Sequence, residues 1–259
     1  MRKLFVMLSC ILLAACGGGG GGTSATTPNT LKVIGTATEG AVIANKIVKL
    51  KDANGVSATD TTTSATGTYS IDVTGLTAPY ILTVTGTNGT YVSLAPVAGT
   101  ANINPITTTV VALAAATSDI SSLFSNLTPT QVSNINTNYP AKSALVTTSL
   151  QSALPSGTTA ANYFTGAISV GSGIDAVFDT YRITVSSTTG ITVKTNDTIA
   201  TTVFTIPTNT IAANTNQPLP TISVFTTAMI SGKSFAFTTS NGVAGTIIFR
   251  GFKSEVQLL

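Results

Sequence analysis

The sequence contains no histidine and no tryptophan, and charged residues make up only 8% of its 259 residues. Without histidine, neither a Ser-His-Asp triad nor a Cys-His pair can form, and a histidine-based zinc site is excluded as well. The few cations form no basic stripe of the kind that binds nucleic acid. A Ser-Lys pair stays formally open, but no motif supports it. We therefore expect no catalytic residue, no cofactor and no metal, with a hydrolase whose site is unrecognised as the remaining enzyme alternative.

Long hydrophobic runs are also missing, apart from one at the start of the chain. Beyond the first 16 residues, no apolar stretch approaches the ~20 residues that a membrane-spanning helix needs. The chain begins with a basic Arg-Lys pair, continues with an apolar run over 4–13 that is too short to span a bilayer, and places two alanines before Cys16. This order is typical of a cleaved signal peptide, which we predict over 1–15.

The stretch Leu13-Ala14-Ala15-Cys16 resembles the lipobox of bacterial lipoprotein signal peptides. The resemblance implies that the Cys16 sulfur carries a diacylglycerol and its amine a further acyl chain, such as palmitate. Two or more acyl chains hold a protein stably at a membrane. The predicted partner of Cys16 is therefore a membrane. In such lipoproteins, a glycine after the cysteine is consistent with the outer membrane. The alternative is an ordinary secretory signal in which the cysteine is incidental.

Cleavage before Cys16 would leave ten cations against nine acids and a single cysteine, which excludes an internal disulfide. Residues 16–30, which contain six consecutive glycines, are then predicted to form a tether between the lipid and the folded part. As a flexible coil it would span roughly 20 Å, and fully stretched just under about 50 Å.

Residues 31–104 carry short runs rich in valine, isoleucine and threonine, a composition suited to β-sheet. Turn signals such as Asn54-Gly55 and Asn88-Gly89 recur at about ten-residue spacing, which predicts an antiparallel sandwich. Gly35, the run that ends at Asn54-Gly55 and the Thr66-Gly67-Thr68-Tyr69-Ser70-Ile71 segment resemble the carboxypeptidase regulatory-like, transthyretin-like β-sandwich. The resemblance implies that Tyr69 lies in the core and that the domain is a spacer or binding module without catalytic residues.

Three tyrosines, Tyr69, Tyr80 and Tyr91, lie in the predicted strands. One interpretation is a row of rings for stacking on sugars. The other, which we favour, is core filling, because an aromatic side chain in each such strand mainly fills the interior of a sandwich.

Residues 105–165 are predicted to be helical. We expect Pro105 to close the preceding strand, a helix over 107–117, a second helix capped by Asp119, and a third that begins at Thr128-Pro129. We expect Pro140 to break the chain before a last helix over 141–154. The start of this region resembles the segment that follows such sandwiches in uncharacterised bacterial lipoproteins.

Over 166–207 the sequence predicts a short helix capped by Asp175 and a hairpin around Thr189-Gly190 in which Ile183 and Val185 face Ile191 and Val193. Asp175 and Asp179 are the one closely spaced acid pair, so a hydrolytic or metal site is a hypothesis to weigh. A helix cap plus a solvent-facing acid explains the same spacing more simply.

Residues 208–220 are predicted to be a loop or linker, and 221–259 a β-hairpin with strands over 234–238 and 246–249. The missing further strands suggest a truncated domain. A Ser-Gly-Lys-Ser stretch at 231–234 lacks the upstream glycine of a phosphate-binding loop, since Thr227 occupies that position.

Together these features predict a mainly β fold with a helical insert: an N-terminal antiparallel β-sandwich, a short helical middle and C-terminal β-hairpins. The predicted function is a lipid-anchored lipoprotein of the bacterial envelope, with lipid on Cys16. It would be a non-catalytic spacer or a binding module for an envelope glycan or protein, and no small-molecule substrate is indicated. The alternative is a surface adhesin.

Overall fold

The computed structural model describes residues 30–153, 162–170, 175–220, 234–238 and 244–248. The signal peptide, Cys16 and nearly all of the predicted tether therefore lie outside the described residues, as do the Asn241-Gly242 turn and most of the 231–234 stretch. The described chain is a mixed helix and strand structure in which all strand pairs but one are antiparallel.

Seven strands in the first part of the chain form two sheets. A three-stranded sheet has the order β4-β1-β7, and a four-stranded sheet has the order β3-β2-β5-β6. The strands are β1 (Lys32–Thr36), β2 (Ile47–Lys51), β3 (Thr61–Thr62), β4 (Thr68–Asp72), β5 (Tyr80–Thr85), β6 (Thr90–Ala95) and β7 (Gly99–Thr100). The β1–β7 pair is parallel.

Alternation of buried and exposed residues shows which face of each strand is covered. β2 and β4 alternate along their length, because a strand with one covered face buries every second side chain. β5 and β6 are buried almost throughout. Leu82 and Val84 pack with the first sheet, whereas Ile81, Val92 and Leu94 pack with the helices on the opposite face. These two strands therefore separate two cores.

The first core contains residues from both sheets and includes all three tyrosines. Tyr69, Tyr80 and Tyr91 are 5%, 2% and 7% exposed. The prediction that their rings fill the core is confirmed, and the rings are not available as a stacking row.

A buried carboxylate fixes the corner after β2. The Asp52 carboxylate accepts backbone hydrogen bonds from Asn54 (2.9 Å), Val56 (2.8 Å) and Thr77 (3.0 Å). Burial by itself raises the pKa of this carboxyl group, but these N–H donors together hold the pKa below its usual value. The hydrogen bonds at this corner therefore stabilise the charged form of the Asp52 carboxylate.

We expect Asp52→Asn to cost about 2 kcal/mol at neutral pH, because its NH2 group must face at least one N–H donor. Because the folded-state pKa is lowered, the carboxylate stabilises the protein above about pH 4, and this contribution is lost as the pH falls through the folded pKa. Urea unfolding should show that the free energy of unfolding falls less between pH 7 and pH 3 in Asp52→Asn than in the unsubstituted chain. Asp60→Asn, which removes the same charge at an exposed position, should leave that dependence in place.

The central helix α1 (Pro105–Ala114) is buried at every residue. The side-chain Oδ1 of Asn104 accepts from the backbone N–H of Ile106 and Thr107, and the Thr107 hydroxyl accepts from the Asn104 backbone N–H, which closes a capping box. Pro105 thus begins the helix, and the prediction that it closes a strand is wrong. Proline is well placed at a first helical position, whose N–H has no partner within the helix.

Two further helices begin as predicted. In α2 (Ile120–Ser125) the Asp119 carboxylate accepts from Ser122 N at 3.0 Å, and α3 (Pro129–Leu150) has a capping box between Thr128 and Gln131. The predicted break at Pro140 is wrong, because α3 runs through it. Buried side chains lie on both sides of the proline, and their packing outweighs the loss of one helical hydrogen bond. These side chains are Val132, Ile135, Val146 and Leu150.

The remaining elements follow in chain order. A 3-10 turn at Gln151–Ala153 precedes α4 (Asn162–Thr165), α5 (Ala176–Thr180), β8 (Tyr181–Ser186), β9 (Gly190–Thr195), β10 (Thr202–Ile206), α6 (Thr208–Ala212), β11 (Ser234–Thr238) and β12 (Ala244–Ile248). β8 and β9 pair with Ile183 opposite Val193 and Val185 opposite Ile191, so the residues predicted to face one another do so. β11 pairs with β12.

Part of the predicted linker is packed against the helices. α6 lies within it, and Ile211 is buried. Lys142 of α3, only 2% exposed, donates to the carbonyl oxygen of Thr215 at 2.7 Å and to Oδ1 of Asn216 at 2.9 Å. A buried ammonium group requires such partners, so these bonds hold the residues after α6 against α3.

The second core surrounds α1. It joins the outer face of β5 and β6 to the helices and to the β10-β9-β8 sheet. None of the helices in the described ranges is both long and apolar enough to cross a membrane.

Candidate functional site

A cleft of about 240 Å³ lies between the turn that joins β5 to β6 and the α5–β8 junction. Its polar lining comes from parts of the chain that are distant in sequence. The residues that line it are Glu39, Asn88, Tyr91, Pro105, Phe178, Tyr181, Arg182, Ile183 and Asn196.

Glu39 holds the β5–β6 turn at one side of the cleft. Its carboxylate accepts hydrogen bonds from the backbone N–H of Thr87 and Asn88 and from the Tyr91 hydroxyl, each at 2.9 Å. Gly86 permits this approach, because a Cβ there would lie 2.7 Å from Glu39 Oε2. The negative charge is therefore fixed in position by three donors.

The Tyr91 hydroxyl stays protonated at physiological pH. Burial raises the pKa of Tyr91, and the charge and hydrogen bond of Glu39 raise it further, while the positive charge of Arg182 opposes them in part. The phenol is therefore a donor to Glu39 and an acceptor toward other groups.

Arg182 reaches the same turn from β8. Its guanidinium Nη2 donates to Oδ1 of Asn88. On the α5 side, Nδ2 of Asn196 donates to the carbonyl oxygen of Phe178 at 3.1 Å. The cleft therefore combines one carboxylate, one guanidinium and two amide side chains, and the lining carries no net formal charge.

The predicted acid pair is divided between two environments. Asp175 is fully buried and accepts from the Thr38 hydroxyl at 2.9 Å, whereas Asp179 is exposed. Asp175 occupies the N-cap position of α5 but makes no side-chain capping bond there, so the predicted capping role is wrong. Its carboxylate instead joins α5 to the loop after β1.

Among the described residues, no group of three or more Asp, Glu, Cys or His side chains could hold a metal ion. The described residues that line the cleft include no serine, cysteine or lysine to act as a nucleophile, and the Glu39 carboxylate already accepts three hydrogen bonds. What this arrangement can do chemically is offer hydrogen-bond donors and acceptors to a small molecule.

Sequence reasoning did not find the cleft. Asn88 was noted as a turn residue, while Glu39, Arg182 and Asn196 carried no motif. The hydrogen bonds of Glu39 and Arg182 join residues 48 to 94 positions apart, so no local pattern could have revealed the site. The lipid-attachment residue Cys16 lies outside the described residues.

The sequence matches no known family profile, and no curated protein matches it. The function is therefore inferred from the residues of this chain alone.

Proposed function

We propose that this protein is a lipoprotein of the bacterial cell envelope, anchored through lipid on Cys16. The observation that carries the proposal is the basic start, the short apolar run and the Leu-Ala-Ala-Cys stretch followed by glycines. A diacylated or triacylated cysteine gives stable anchoring, since each buried methylene contributes about 0.8 kcal/mol. Gly17 favours the outer membrane.

The folded part is a non-catalytic spacer or binding module for an envelope glycan or protein. Support for an N-terminal β-sandwich comes from the two sheets that share one core, and from Tyr69, which is buried as the family resemblance implies. The proposed fold also includes the predicted C-terminal β-hairpin. A stacking surface on the tyrosines loses its support, because all three rings are buried, and the adhesin alternative weakens with it.

Cys16→Ser tests the anchor. In a bacterial host given radiolabelled palmitate, the unsubstituted full chain should take up label and sediment with membranes, whereas the variant should do neither. Cys10→Ser is the matched control, because it removes the other cysteine from within the predicted signal peptide and should leave labelling intact. Equal membrane association of all three proteins, without label, would refute lipid anchoring.

A further inference from the structure

The cleft between Glu39 and Arg182 has the donors and acceptors of a binding site, and their arrangement restricts the ligand. A carboxylate offers about four acceptor positions, and three of those on Glu39 are taken by Thr87, Asn88 and Tyr91. One position remains. This suits a single hydroxyl hydrogen better than an ammonium group, which brings three donors and a full charge.

On the opposite side, Arg182 supplies donors in excess. A guanidinium group carries five N–H bonds, and among the described residues Arg182 donates a hydrogen bond to the Asn88 side chain. Asn196 gives one amide hydrogen to Phe178, and its amide oxygen is an acceptor. The cleft therefore offers both hydrogen-bond donors and hydrogen-bond acceptors.

An anion fits this arrangement poorly. It can only accept hydrogen bonds, and the attraction of Arg182 would be opposed by the fixed charge of Glu39. A hydroxyl group both donates and accepts, so a ligand with several adjacent hydroxyl groups can pair with Arg182, Glu39 and Asn196 together without bringing a charge into the cleft.

Size and the polarity of the lining agree with a small, hydroxyl-rich ligand. A cavity of about 240 Å³ is below the roughly 300–1,000 Å³ of sites for drug-sized molecules. Phe178, Tyr181 and Ile183 border the cleft but are buried, so its accessible lining is mainly polar. We propose that the cleft binds a neutral, hydroxyl-rich sugar unit, which deepens the proposed binding role by naming its site and ligand class.

The test is a titration of the full chain in a detergent that has no sugar headgroup, followed by calorimetry or ligand-observed NMR. The probes are glucose, galactose, mannose and N-acetylglucosamine, with glycylglycine and inorganic phosphate as rival zwitterionic and anionic ligands. At least one sugar should bind saturably with a Kd of order millimolar. Arg182→Met should weaken it about tenfold or more, as expected for loss of hydrogen bonds from a charged donor.

Lys194→Met is the matched control. Lys194 lies directly opposite Arg182 on β9, is exposed, and does not line the cleft. Like Arg182→Met, Lys194→Met removes one positive charge from this sheet. It should leave the Kd for the sugar within about twofold of the value for the unsubstituted chain. Since Arg182 is also exposed, neither variant disturbs the core, and circular dichroism of both should match that of the unsubstituted chain.

Saturable binding of glycylglycine or phosphate without sugar binding would overturn the proposal. Absence of any sugar binding, or equal losses in the two variants, would overturn it as well. These failures are separable from failure of the anchor, because palmitate labelling of Cys16 does not depend on the cleft.

Discussion

Gly35→Ala should lower the free energy of unfolding by about 3 kcal/mol, because the first core has no room for the added methyl group. Gly35 lies on β1 between Tyr69 of β4 and Ala101. The Tyr69 hydroxyl donates to the carbonyl oxygen of Ala101. A Cβ at Gly35 would stand 2.7 Å from the Ala101 carbonyl carbon and 2.9 Å from the Tyr69 hydroxyl oxygen. Backbone must therefore move, and the buried hydrogen bond must lengthen.

The measurement is urea-induced unfolding of the full chain, followed by tyrosine fluorescence because the chain has no tryptophan. Gly75→Ala is the control. Gly75 has a φ of +81°, but a Cβ there would have no neighbour within 4 Å, so this variant measures left-handed backbone strain alone, about 1 kcal/mol. A Gly35→Ala cost no greater than that of Gly75→Ala would show that the contact with Ala101 relaxes freely.

Local sequence patterns predicted the elements that are determined by residues close together in the chain. The alternation of isoleucine and valine around Thr189-Gly190 predicted which residues of β8 and β9 face each other, because side chains on one face of a strand recur at every second residue. The caps at Asp119 and Thr128 were also predicted, since a capping bond spans only two or three residues.

Elements governed by distant contacts were predicted less well. Pro140 predicted a break from a local rule, and the packing of α3 on α1 overrode it. Asp175 was assigned as a cap of its own helix, although its carboxylate accepts a hydrogen bond from Thr38, 137 residues earlier. The cleft was missed for the same reason: Glu39 and Arg182 bond to Asn88 of the β5–β6 turn from positions 49 and 94 residues away.

Asn104→Ala should be the second severe substitution, because the Asn104 side chain joins α1 to α4. Its Oδ1 caps α1 through the N–H groups of Ile106 (2.9 Å) and Thr107 (3.0 Å), and its Nδ2 donates to the carbonyl oxygen of Tyr163 in α4 at 2.8 Å. Asn104 is fully buried, so water cannot replace these bonds. Loss of a cap costs about 1 kcal/mol, and each buried group left unpaired adds about 1–3 kcal/mol. We therefore expect a total cost of about 3–4 kcal/mol.

Asp119→Ala provides the comparison, because Asp119 caps α2 through one hydrogen bond at an exposed position. Water can hydrate the Ser122 N–H in that variant, so its cost should stay near 1 kcal/mol. Urea unfolding of both variants gives the difference directly. Equal costs would mean that the Tyr163 carbonyl and the α1 N–H groups find other partners once Asn104 is truncated, and that α4 is not held to α1 through this side chain.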